Sequence, residues 1–354
     1  MLLRDYTASV PVDIIRTLAI ILVILVHAAT RQEQPIVQVM YQAEAVRWFT
    51  MNTYNAFSAV SVPLFVMLSG ALLLQPNKIE SIRGFLKKRA VRLGLPFIFW
   101  GTIYFLWRFF INNEALSASS IVQGIVTGPY YHFWFLYMLA GLYLITPVLR
   151  VLTAHAERRI LRYFLIVIVV GTSVVPLLAL ISNYSIELKL FAITGWIGYF
   201  MLGYYTLSTH VKSSILYVTY FSGTVGTVVG MYVATALVSG RTGLFFVDYL
   251  SATVVLASAS LFILLLKVSP NTISLRYPLG SKVLHFIGSS TLAIYLFHVI
   301  ILESLQKGFL GFQISLNTMN PIIEVPLITI VTFFITVGII WLLKRIPQME
   351  KLIG

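Results

Sequence analysis

Residues 10–29 read VPVDIIRTLAIILVILVHAA, an apolar run holding one acid, one arginine and one histidine. A helix of that length rises roughly 30 Å, the thickness of a bilayer's hydrocarbon core. An ionisable group in mid-membrane costs about 2.5–3.5 kcal/mol on insertion scales and tends to be paired and functional. Asp13 and Arg16 are spaced to pair on one helix face. That pairing alone would make them a local ion pair with no further role. His27 lies eleven residues beyond Arg16. At ~100° per residue it returns to nearly the same face, roughly 16 Å further along. A cation low and an imidazole high on one face suit an anionic ligand at one end and an activated nucleophile at the other. The plainer reading of His27 is an interfacial histidine without a role. Val26-His27-Ala28 looks like a signal-peptidase site, but Asp13 and Arg16 within the apolar region argue against cleavage.

The rest of the chain repeats this pattern. Its 354 residues are 58% hydrophobic and 10% charged, with mean hydropathy +0.89. Soluble domains carry about 25% charged residues, so this chain lacks the charges to cover a water-facing surface. Ten apolar segments are expected, at about 10–29, 55–75, 93–111, 131–152, 160–181, 190–207, 214–239, 247–267, 283–305 and 322–344. The expectation is an all-α integral membrane protein: a bundle of about ten transmembrane helices in a single domain, 1–354, with no separate soluble domain. The outer stretch 30–54 has helical spacing in its second half and aromatic residues suited to the interface.

With the N-terminus placed inside, the inner regions hold eighteen basic residues and the outer loops five. The inner set is Arg4; Lys78, Arg83, Lys87, Lys88, Arg89 and Arg92; Arg150, Arg158, Arg159 and Arg162; Lys212; Lys267, Arg276 and Lys282; Lys344, Arg345 and Lys351. The outer set is Arg31, Arg47, Lys189, Arg241 and Lys307. Such a bias places both termini in the cytoplasm of a multi-pass plasma-membrane protein. It also explains the net charge of +13 as topology rather than nucleic-acid binding. The absence of cysteine excludes disulfides, thiolate metal sites and a cysteine nucleophile. No P-loop, His-Glu-x-x-His pair or Gly-x-Ser-x-Gly elbow is present, and no metal is expected.

Other polar groups join the list of candidates. Arg89 and Arg92 form an Arg-x-x-Arg pair beside Lys87 and Lys88. Arginine forks bind phosphate bidentately, although plain inner positive charge accounts for the pair when it is taken alone. Ser69 sits in an apolar helix beside Gly70, suited either to close packing or to donating a hydrogen bond inward. The stretch 128–137 includes His132, Trp134 and Tyr137. It suits an aromatic belt or a sugar acceptor equally. His298 follows Tyr295 in the ninth segment, with Glu303 about a turn and a half beyond. A buried histidine bonded to a neighbouring helix is as good a reading there as a catalytic one.

Together these residues resemble the membrane acyltransferase-3 family over essentially the whole chain. The matching elements are Val12–Ala19 running on to His27 (Arg-x10-His), Pro63–Gly70, Phe85–Arg92 with Leu95-Pro96, His132–Tyr137 closing at Leu144–Pro147, and Thr291–His298. Leu64 stands where the family's second element has an aromatic residue. With no appended hydrolase-like domain, the chain is similar to the stand-alone branch of acetyl- and succinyltransferases that decorate glycans. The resemblance implies acyl transfer from cytosolic acyl-CoA, acetyl-CoA foremost, to a glycan or lipid-linked saccharide at the outer face. It implies that Arg16, Arg89, Arg92 and Lys88 hold the donor. It implies further that His27, with Arg16 and Asp13, is catalytic and that Ser69, His132, Trp134, Tyr137 and His298 line the acceptor site. The alternative on composition alone is a multi-pass transporter or flippase, but inverted halves and a Pro/Gly-broken helix pair are not evident.

Overall fold

A computed structural model describes residues 10–30, 42–76, 80–182, 189–269, 278–315 and 319–354. Among these residues the regular structure is helical and no strand is present, as the bilayer requires of an open chain whose backbone must satisfy itself. Of the charges counted above, Arg4, Arg31, Lys78 and Arg276 lie outside the described residues. Among the described residues seven helical runs are long and apolar enough to cross a membrane, or eight if one bent pair counts as a crossing. The remaining two expected segments hold an 18-residue helix, Lys189–Thr206, and a 15-residue apolar helix, Ala252–Leu266.

Helix α1 covers Val10–Ala29, the bounds expected from its hydropathy. It sits centrally, with Ile15, Ala19, Ile20 and Ile24 fully buried. Around it pack α2 (Gln42–Ser58) and α3 (Ser61–Leu73). The helical half of the expected interfacial stretch is α2, and it runs on into α3 after a short break at 59–60. Helix α4 spans Ile82–Phe110, starting eleven residues before the expected apolar segment. Hydropathy sees only its apolar part. The basic run before it is made of good helix formers, and Ser81 caps it by accepting a 3.1 Å bond from the Gly84 amide.

Next come α5 (Ala118–Thr127), a 3-10 turn at Tyr131–Phe133 and α6 (Trp134–His155). They are followed by α7 (Arg158–Val169), a π turn at Val170–Val174, α8 (Val175–Ser182) and α9 (Lys189–Thr206). Helix α10 (Ser213–Leu237) then pairs closely with α12 (Ala252–Leu266), and α11 (Gly240–Phe245) lies between them in sequence. The ninth expected segment is not one straight helix. It is α13 (Pro278–Ser289) and α14 (Thr291–Lys307), bent by 77° at Ser290. The chain continues through α15 (Pro321–Leu343) to α16 (Met349–Ile353), whose Ile353 carbonyl accepts a 3.1 Å bond from Trp100 Nε1 of α4.

Lipid tails are as apolar as leucine, so helices in a bilayer associate through close packing and hydrogen bonds rather than water exclusion. Helices α3 and α9 show the packing directly. A Cβ on Gly70 would run into the Phe200 carbonyl of α9, and one on Gly203 into the Met67 carbonyl of α3. The two glycines let the backbones touch reciprocally.

Candidate active site

Arg16 of α1 faces α4 and α6 across a cavity of about 240 Å³. Arg89 and Arg92 of α4 line the same cavity, as do Ser69 of α3, Tyr143 of α6 and Thr291 of α14. None of the three arginines is in an ion pair among the described residues. The Arg89 guanidinium lies over the Phe85 and Tyr143 rings at 5.3 and 5.4 Å, and its Nε is buried without a hydrogen-bond partner. Arg150 of α6 joins this end of the bundle. Its Nε donates to the Leu73 carbonyl at 2.7 Å and its guanidinium lies 4.5 Å from the Phe85 ring. In the sequence Arg150 was only one of many inner charges. Converging guanidinium groups without carboxylates form a site for an anion with several phosphate or carboxylate oxygens.

Two expected members of this cluster lie elsewhere. Lys88 is exposed and paired to Glu80 at 2.7 Å, away from the cavity. Asp13 does not pair with Arg16: no ion pair joins them among the described residues, and the Asp13 Oδ2 is 2.9 Å from His285 Nδ1 of α13. Spacing along α1 permitted the local pair. The bend at Ser290 brings α13 against the start of α1 and supplies a better partner. Gly288 makes room for it, since a Cβ there would lie 2.5 Å from Asp13 Oδ1.

At the other end of α1, His27 meets two more histidines. Its ring centroid is 5.2 Å from that of His298 on α14 and 6.4 Å from that of His132 in the 3-10 turn. His132 and His298 are fully buried and their rings are 5.8 Å apart. Tyr131 sits against His27 at 5.1 Å. His298 Nδ1 is 2.7 Å from the Tyr295 backbone carbonyl. A carbonyl only accepts, so Nδ1 carries the proton and Nε2 presents its lone pair. That Nε2 is buried and has no hydrogen-bond partner, and the same holds for both ring nitrogens of His132. These nitrogens make the cluster a candidate for holding a polar ligand or moving a proton. No group of three or more His, Asp or Glu among the described residues is arranged to hold a metal ion.

None of the three histidines is among the residues that line the arginine cavity. Phe65, Phe135 and Tyr295 line it, and the Tyr295 ring lies 5.6 Å from His132 and 5.9 Å from His298. One aromatic layer therefore stands between a cationic chamber and an imidazole cluster, both bordered by the same face of α1. Trp134 and Tyr137 are outside the cluster. Trp134 packs on Trp196 and Tyr249, and the Tyr137 hydroxyl donates to the Ile125 carbonyl.

Sequence reading also passed over what fixes the 3-10 turn. Glu303 of α14 accepts from Trp107 Nε1 at 2.9 Å and from the Tyr130 hydroxyl. Tyr130 stacks on Tyr104, whose hydroxyl donates 2.8 Å to the Leu296 carbonyl. Gly128, at φ +114, turns the chain into this stretch where only glycine is unstrained. An acid about one turn short of a helix end is visible in sequence. Its partners, 196 and 173 positions away, are not.

Three guanidinium groups around one cavity and three histidines gathered at the other end of α1 sit in a polytopic helical frame. The acyltransferase domain family matches residues 11–343, nearly the whole chain. The chain belongs to the membrane acyltransferase-3 family and is an acyltransferase, with an acyl donor and an acceptor as its substrates. No curated protein and no solved structure matches it.

Proposed function

We propose that this enzyme moves an acetyl or succinyl group from cytosolic acyl-CoA to a hydroxyl of a glycan or lipid-linked saccharide at the outer face of the plasma membrane. The observation that carries the reading is the alignment of Arg16 and His27 on one face of α1, with Arg89 and Arg92 joining the first and His298 and His132 the second. The basic end is the one the charge bias assigns to the cytoplasm. There the arginines hold the donor's phosphates, and the thioester arm reaches towards the imidazoles past Tyr295. Asp13, tied to His285, fixes the start of α1 and so the position of Arg16.

His27 acts as general base on the acceptor hydroxyl. The hydroxyl oxygen attacks the thioester carbonyl, the C–S bond breaks, and the proton taken by His27 passes to the departing thiolate. The alternative, a transient acyl-imidazole on His27, uses the same geometry. His298 offers a lone pair at Nε2 beside His27 and is the natural second base. Ser69 lines the donor chamber rather than the acceptor side, while His132 borders the histidine cluster.

The test is thiol release from acyl-CoA by the purified protein with a glycan acceptor. His27→Ala should abolish acceptor-dependent release, and full retained transfer would remove His27 from the mechanism. Mass analysis of surface glycans from cells with and without the gene then names the acyl group by the lost increment.

A further inference from the structure

A second cavity, of about 400 Å³, lies as a groove between α4 and α6. Ala90, Gly94 and Phe97 form one wall and Ala140 and Leu144 the other. Its far end is closed where the Tyr137 hydroxyl donates to the Ile125 carbonyl, so the polar atoms there are already bonded. The floor is open in the middle, because a Cβ built on Gly94 meets nothing within 4 Å. Among the described residues along the groove the one that is charged is Arg89, at its basic end. From Arg89 to Phe97 the helix rises roughly 12 Å.

We propose that this groove binds one anionic phospholipid from the leaflet at the basic end, its hydrocarbon chain along the groove and its phosphate on Arg89. The walls exclude a polar occupant, which would leave its own groups unpaired there. The charge argues for an anion. The buried Arg89 Nε lacks a partner, and exposed Arg83 and Lys87 precede it on the same helix. A basic pocket between transmembrane helices on the inner side is the setting in which anionic headgroups are held. Arg89 also lines the donor chamber. A lipid phosphate and the donor's phosphates therefore draw on one guanidinium, and the lipid opposes donor binding. This last consequence rests on the acyl-CoA reading above, whereas lipid binding itself does not.

The test uses the full chain in nanodiscs of equal phosphatidylglycerol and phosphatidylcholine, with retained lipid counted by native mass spectrometry during progressive delipidation. The wild type should keep one phosphatidylglycerol with about fivefold preference, the worth of one basic side chain beside an anionic lipid. Gly94→Phe fills the open floor and should lose it, and Ala140→Phe should do the same from the facing wall. Gly141→Phe, outside the groove, should keep it. Arg89→Gln should retain lipid without headgroup preference. Equal retention of both lipids by the wild type would overturn the proposal. So would undiminished phosphatidylglycerol in both folded groove-filling variants, or its displacement by an equimolar polyprenyl phosphate. An unchanged acyl-CoA affinity in phosphatidylglycerol, with the lipid retained, would strike only the shared-arginine consequence.

Discussion

The Tyr295 hydroxyl donates a 2.5 Å hydrogen bond to the backbone carbonyl of His132, tying α14 to the 3-10 turn across the top of the arginine chamber. The same tyrosine's carbonyl accepts from His298 Nδ1. One residue thus holds two of the three histidines and also lines the arginine chamber. Tyr295→Phe keeps the ring and removes the bond to His132. It should cost about 0.5–1.5 kcal/mol of stability and lower kcat more than it raises the donor KM, measured by thermal unfolding and steady-state kinetics in the same detergent.

Donor affinity should depend on the chamber's guanidinium groups and not on Lys88. Arg16→Gln, Arg89→Gln or Arg92→Gln should each weaken acyl-CoA binding by roughly ten- to a hundredfold, the value of a lost charge-assisted hydrogen bond of about 1.5–3 kcal/mol. Lys88→Gln, which breaks only an exposed pair with Glu80, should change it less than about threefold. Titration calorimetry with the purified protein distinguishes the two groups.

His298→Asn retains a donor for the Tyr295 carbonyl but has no imidazole lone pair. If Nε2 takes part in proton transfer, the variant should fold as the wild type does and lose about 10²–10⁴ in kcat, the usual worth of a general base. A variant with wild-type turnover would leave His298 as a packing residue only.

Glu303→Gln should damage the site from a distance. The carboxylate accepts from both Trp107 and Tyr130, whereas an amide offers one oxygen and two N–H donors. Trp107 can still give to the amide oxygen, but the Tyr130 hydroxyl must turn from donor to acceptor and both charge-assisted bonds become neutral, a loss of about 1–3 kcal/mol. Lowered thermal stability with a reduced kcat and little change in donor KM is the expected pattern.

Gly288→Ala probes the contact between α13 and α1. Its Cβ would press on Asp13 Oδ1 and on the Asp13 Cα at 3.0 Å, which is backbone and does not yield easily. The expected loss is about 1–3 kcal/mol, typical of overpacking, read as an earlier melting transition. If the start of α1 shifts, the donor KM should rise with it.

How far the sequence carried can be judged from particular residues. Hydropathy located α1 to the residue, because its apolar run is bounded by polar chain on both sides. The angular spacing of Arg16 and His27 needed only the helical repeat. The early start of α4 was hidden because charge and helicity are independent: Arg83, Lys87 and Lys88 read as loop on hydropathy and fold as helix. The bend at Ser290 was hidden because a broken span and a straight one have the same mean hydropathy. Consequently His285 could not be seen to reach Asp13. Trp134 and Tyr137 suited a belt or a sugar equally in the sequence, and their partners Trp196 and Ile125, 62 and 12 positions away, could not be read from it. Tyr295 was in view as part of a motif. Its position between the two chambers is a tertiary fact that no spacing rule contains.

The glycine contact of α3 with α9 bears on how the enzyme works as a machine. Where main chain touches main chain at Gly70 and Gly203, there is no side-chain cushion to shear, so these two helices travel together. They serve as a keel. Phe65 of α3 borders the arginine chamber from this keel, so freedom to rearrange around the chamber is left to the opposite flank, where α4, α6 and α14 meet through aromatic rings.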